Sequence, residues 1–256
     1  MTDETPAPTE TVEPFGVVQH SGLGPLKTLM VVLGIIFLWT NLQGWFLFGY
    51  AWSINYVNVV TGSHYSYATV RNDGFLVSLT TCIWTPLAFI LLCMVAGKKG
   101  LSYRTVLAMN PVPIRSYLIW TGWFILFICA LEIFVWAVKL PDPGFIITLI
   151  KSAMFPPLLW VAVGVAAPIF EEALFRGYLF AGILHSRAGG AGAIAGTSAL
   201  WALIHVPYGW PYAVIVLALG IFLGVVRLRS GSLYPCIALH ILNNLLSLLM
   251  ATVLHS

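Results

Sequence analysis

Seven apolar runs, near residues 26–50, 75–97, 115–138, 156–184, 191–206, 212–228 and 233–253, follow one another with only short polar intervals. Most of them approach or exceed the ~20 residues a helix needs to cross the hydrocarbon core of a bilayer. The chain has few charges to spend outside them: it is 59% hydrophobic and 8% charged, with a mean hydropathy of +0.92, where a soluble domain is roughly a quarter charged. The expected fold is all-α, a polytopic transmembrane helix bundle of about seven spans, six to eight at the limits. The 191–206 run is short and glycine-rich, and 145–153 reads as an interfacial helix or an eighth, partial span.

Residues 1–24 hold Asp3, Glu4, Glu10 and Glu13 among Pro and Thr, a composition that buries nothing and predicts a disordered tail. They lack the basic n-region of a signal peptide, so the first apolar run is expected to persist as a helix. The domain organisation expected is this tail, N-terminal transmembrane helices over 25–150, and a second transmembrane domain over 151–256. With the N-terminus in the cytoplasm, the inner segments carry Lys27, Lys98, Lys99, Arg104, Arg115, Arg187, Arg227 and Arg229, and the outer ones only Arg71, Lys139 and Lys151. Eight against three favours N-in and C-out. A net charge of +3 suits a positive inner face, and nucleic acid is not needed as a partner to explain it. Cys82, Cys93, Cys129 and Cys236 lie in apolar runs without metal-ligand pairing and read as small packing residues. No internal repeat is visible, which weighs against a transporter built from duplicated halves.

Against this apolar background the stretch APIFEEALFRGYLF, residues 167–180, stands out. A carboxylate or guanidinium at mid-bilayer is costly and implies a partner or a water-filled cavity. Glu172 and Arg176 stand at i and i+4, the favoured orientation for a helical ion pair. Glu171 lies about 100° around the helix from its neighbour, out of comfortable reach of the same arginine. Glu172 therefore has a structural task available, and Glu171 is left for a functional one. Glu132, in ICALEIFVWAVK, is a further intramembrane acid; it suits a helix–helix hydrogen bond, a snorkelling pair with Lys139, or a proton relay with Glu171.

Two more polar clusters follow. ALWALIHVPYGW places His205 at the end of an apolar run, and ALHILNNLLSLL places His240 and Asn244 at i and i+4, with Asn243 near the same face. Each alone has a bland reading, as a helix-end residue or an interhelical hydrogen bond. Together they offer a chemistry. A carboxylate can act as general base toward water while a histidine holds that water. A second histidine and an asparagine amide can donate to the oxyanion formed when water attacks a peptide carbonyl. The alternative is zinc at Glu171, His205 and His240, which would activate the water itself, although the compact H-E-x-x-H helix is absent. There is no G-x-S-G for a serine mechanism and no Gly-Asp pair for an aspartyl one.

The ordered set E-E-x-x-x-R, then an aromatic followed by x-x-x-H, then H-x-x-x-N resembles the CPBP family of intramembrane proteases, which includes the type II CAAX prenyl endopeptidases and the Abi proteins of bacteriocin self-immunity. The likeness covers roughly residues 156–250. It implies Glu171 as the base, His205 as its partner in holding water, His240 with Asn244 as the oxyanion site, and Glu172 with Arg176 as supporting residues, without a cofactor. It implies a peptide or protein substrate, prenylated in the eukaryotic branch, reached from the lipid bilayer by an integral membrane protein; in a bacterium that membrane is the plasma membrane. The aromatic before the middle histidine, usually Phe in this family, is Trp201 here, which predicts a reshaped cavity wall. The alternatives to an endopeptidase are a non-catalytic scaffold or bacteriocin self-immunity protein, and a small transporter using Glu132.

Overall fold

The computed structural model describes residues 23–58, 70–140 and 144–255, and among them every regular element is helical. All but the last two residues of the N-terminal tail expected over 1–24 lie outside the described residues. Among the described residues, and apart from a single turn at Tyr103–Val106 and short 3-10 turns, the helices are α1 (Pro25–Asn58), α2 (Gly74–Ala96), α3 (Ile114–Val138), α4 (Gly144–Ser152), α5 (Pro156–Leu184), α6 (Gly189–Ile204), α7 (Trp210–Ser230) and α8 (Tyr234–His255). Six of them, all but α4 and α6, are long and apolar enough to cross a membrane. The run expected at 191–206 is the 16-residue α6, about 24 Å long and so shorter than the ~30 Å hydrocarbon core. The stretch at 145–153, expected as an interfacial helix or an eighth, partial span, is α4, nine residues long.

Lipid exposure accounts for the outer helices. In α3 only Phe124 is buried, while Trp123, Ile133 and Trp136 keep open faces. In lipid such faces carry no penalty, and helix association rests on packing and interhelical hydrogen bonds. Accordingly α3 is held by ring contacts, with Phe127 stacked on Phe222 of α7 at 4.7 Å. At the start of α2, Asp73 caps the helix by accepting from Leu76 N–H at 2.9 Å. There Gly74 meets α4 backbone to backbone. Any side chain at this position would collide with the Leu149 carbonyl, and the Gly74 N–H donates to Ser152 Oγ at 2.8 Å.

The centre of the bundle is α5, the most enclosed span, with half of its apolar window buried. Its neighbours include Trp39 of α1, which packs on Phe170 at 5.4 Å, and Trp201 of α6. α5 is not a uniform α-helix: two wide π turns, Ala162–Ala166 and Ala173–Leu179, flank the regular stretch Ala167–Glu172. Wide turns of this kind are rare and concentrate at functional sites. One end of the bundle is tied by Ala108, Asn110 and the α7–α8 turn, through Leu233 N–H to Ala108 O at 2.8 Å and Asn110 Nδ2 to Gly231 O at 3.2 Å. The other end gathers the start of α2, α4 and the α6–α7 turn, where Phe145 packs on Tyr208 at 4.3 Å.

Candidate active site

The regular stretch of α5 ends in Glu171 and Glu172, and the wide turn begins at the next residue. Glu172 and Arg176 are both fully buried, and Arg176 Nη1 donates to Glu172 Oε1 at 2.9 Å. The ion pair expected from the i, i+4 spacing is therefore present. The same oxygen also meets His240 Nδ1 of α8 at 2.9 Å. Arg176 extends the network, because Nη2 donates to the Gly220 carbonyl of α7 at 3.3 Å and the guanidinium lies over the Trp201 ring of α6 at 4.3 Å. Gly220 permits this approach: a Cβ there would sit 3.2 Å from Arg176 Nη2. Two charges placed beyond water are tolerable only when paired and hydrogen-bonded, and this pair ties α5 to α6, α7 and α8 at one point.

Glu171 points elsewhere. Its Oε2 accepts from Trp201 Nε1 at 2.7 Å, and its other oxygen has no partner among the described residues. Glu171, His205, His240 and Asn244, drawn from α5, α6 and α8, line one cavity of about 170 Å³ together with Asn243, Tyr208 and Tyr212. Glu172 and Arg176 stand behind that cavity, outside its lining. Glu132 is exposed on α3 and is not part of it, so the cavity offers no relay between the two acids.

Hydrogen bonds determine what each ring nitrogen can do. His205 Nδ1 lies 2.7 Å from the Trp201 carbonyl. A carbonyl only accepts, so Nδ1 carries the proton, and Nε2 of the neutral ring is an acceptor. In His240, Nδ1 donates to the ionised Glu172, which leaves Nε2 as the remaining polar atom. Asn244 Nδ2 donates to the Val163 carbonyl in the first wide turn of α5 at 2.9 Å, and its Oδ1 accepts from Asn243 Nδ2 at 3.2 Å. One N–H of each amide is left over. Among the described residues no group of three or more His, Cys, Asp or Glu side chains is arranged to hold a metal ion.

Three participants escape the sequence reading. Trp201 is read there as cavity wall, yet it is a hub: besides its bond to Glu171 it meets the rings of His205 and His240 edge-on at 5.3 and 5.0 Å. An indole N–H in a buried position needs an acceptor, and that was the available signal. Tyr208 and Tyr212 are brought in by the α6–α7 turn, and no spacing rule points to them. The Tyr208 phenol is held above its ordinary titration range by enclosure and by the Glu171 charge, with Arg71 opposing.

Fold and site together define a multi-pass helical membrane protein with a glutamate, two histidines and asparagines around one intramembrane cavity. Residues 153–246 match the family model described as Type II CAAX prenyl endopeptidase Rce1-like. The segment carrying the site is thus similar to Rce1-like domains, in agreement with the CPBP resemblance, and this likeness supports intramembrane endopeptidase activity in general. No curated protein and no solved structure matches the chain.

Proposed function

We propose that the chain hydrolyses a peptide bond with water activated by Glu171. The observation that carries this reading is the division of labour between adjacent glutamates. Glu172 is committed to Arg176 and His240, whereas Glu171 faces the cavity with one oxygen anchored on Trp201.

In the proposed reaction Glu171 takes a proton from a water whose second hydrogen is accepted by His205 Nε2. The resulting hydroxide attacks the scissile carbonyl carbon. The oxyanion receives hydrogen bonds from His240 Nε2–H, the ring being an imidazolium supported at Nδ1 by Glu172, and from the free amide N–H of Asn244. Glu171 then returns its proton to the leaving nitrogen as the C–N bond breaks, giving a carboxylic acid and an amine; the acid's proton then passes to the amine, leaving a carboxylate and an ammonium. Water activation is assigned to Glu171 without a metal.

Cleavage of a mixed pool of prenylated and unprenylated peptides, followed by mass spectrometry, tests this reading and sorts CAAX-type from other peptide substrates. The wild type should cut and Glu171→Gln should not. A silent wild type that is well folded would replace the endopeptidase by the scaffold or self-immunity reading.

A further inference from the structure

The catalytic cavity adjoins a second, larger hollow of about 440 Å³, the vestibule, whose lining includes Arg71, Asn72 and Thr148. The two share Gln43, Val77, Phe145 and Tyr208. The packed rings of Phe145 and Tyr208 therefore stand between the two hollows. The outer hollow belongs to the end of the bundle formed by the start of α2, α4 and the α6–α7 turn, where Gly74 N–H meets Ser152 Oγ.

The basic residues divide between the two ends of the bundle. Lys27 starts α1, Lys98, Lys99 and Arg104 lie between α2 and α3, and Arg115 opens α3. Arg187 joins α5 to α6, and Arg229 closes α7. These segments share one end: the α2–α3 connection is bonded to the α7–α8 turn through Asn110 and Ala108, and Thr28 of α1 packs on Gly182 near the end of α5. The vestibule end has Arg71, Lys139 and Lys151 only. Arg227 belongs to neither end: it is buried and donates to the Arg176 carbonyl at 3.0 Å. The imbalance, seven against three without it, places the basic end in the cytoplasm by the positive-inside rule.

We propose that the vestibule is the polar route to the catalytic cavity and opens on the extracytoplasmic face, so that the substrate is a peptide segment displayed there and not a terminus presented from the cytosol. The substrate class rests on the endopeptidase reading; the sidedness does not. Export or membrane insertion of the substrate must then precede its cleavage. The hollow suits a polar peptide backbone, since Arg71, Asn72, Gln43 and Thr148 supply donors and acceptors along its lining.

The test is thiol accessibility in intact cells with a membrane-impermeant maleimide, the wild type with its native cysteines serving as blank. Thr148→Cys reports the vestibule, and Ala188→Cys, an exposed position beside Arg187, reports the basic end. The expected result is equal labelling of Thr148→Cys before and after permeabilisation, and labelling of Ala188→Cys only after it. The reverse pattern, labelling of both from both sides, or a Thr148→Cys that never reacts would each overturn the proposal. The readout involves no turnover. A silent peptide assay beside the expected labelling pattern would count against the endopeptidase reading alone.

Discussion

Replacing Trp201 with phenylalanine removes one atom that matters and leaves most of the rest. A phenyl ring can still cover the cavity wall and lie beneath the Arg176 guanidinium, now 4.3 Å from the ring centroid. What is lost is the indole N–H that donates to Glu171 at 2.7 Å. A hydrogen bond to a charged group contributes about 1.5–3 kcal/mol, and about 1.4 kcal/mol corresponds to a tenfold change in rate. If that bond holds the carboxylate in its attacking orientation, Trp201→Phe should lower kcat/KM by roughly ten- to a hundredfold. Trp201→Ala also removes the ring from a site only 2% exposed, and truncation of that kind costs about 3–5 kcal/mol of stability. Steady-state peptide cleavage together with thermal unfolding of both variants in detergent separates the two effects. A Trp201→Phe enzyme with wild-type kcat/KM would refute the positioning role, and a Phe variant as unstable as the Ala variant would assign Trp201 to packing.

Arg176→Ala leaves Glu172 buried without its guanidinium. Breaking a buried pair in this way costs about 3–5 kcal/mol, so the yield of folded protein and its unfolding temperature should drop, while Glu171→Ala keeps the fold; equal loss in both would end the division of roles between the glutamates. Because the Tyr208 phenol is held above its ordinary pKa by enclosure and the Glu171 charge, it gives up its proton later than an ordinary tyrosine as pH rises. Tyr208→Phe should therefore leave the alkaline limb of the rate profile unmoved, and a displaced limb would show that this phenol titrates during turnover. A strong chelator should leave cleavage unchanged; full inhibition reversed by added zinc would transfer water activation from Glu171 to a metal.

The spans are legible in the sequence because run length and hydropathy are local quantities, and so is the Glu172–Arg176 pair, which needs only one helical turn. The separation of Glu171 from Glu172 follows from the same helical geometry. The wide turns of α5 are not legible in this way, since its apolar sequence carries no periodic mark of a wide turn. Contacts across helices are harder still. Glu172 and His240 are 68 residues apart, and the sequence reading assigns His240 to the oxyanion without its tie to Glu172. Phe145 and Tyr208 meet because α4 folds back onto the α6–α7 turn, a packing choice that no motif announces. Trp201 is the intermediate case. Its donor is visible in the residue type, and only its acceptor required the fold.

The central claim is that Glu171, and not its neighbour, drives peptide hydrolysis. Its most direct test is the cleavage rate of purified Glu171→Gln beside the wild type on the same peptide pool, with both proteins shown to be equally folded. The expected result is cleavage by the wild type and none by the variant. Wild-type cleavage by Glu171→Gln would contradict it.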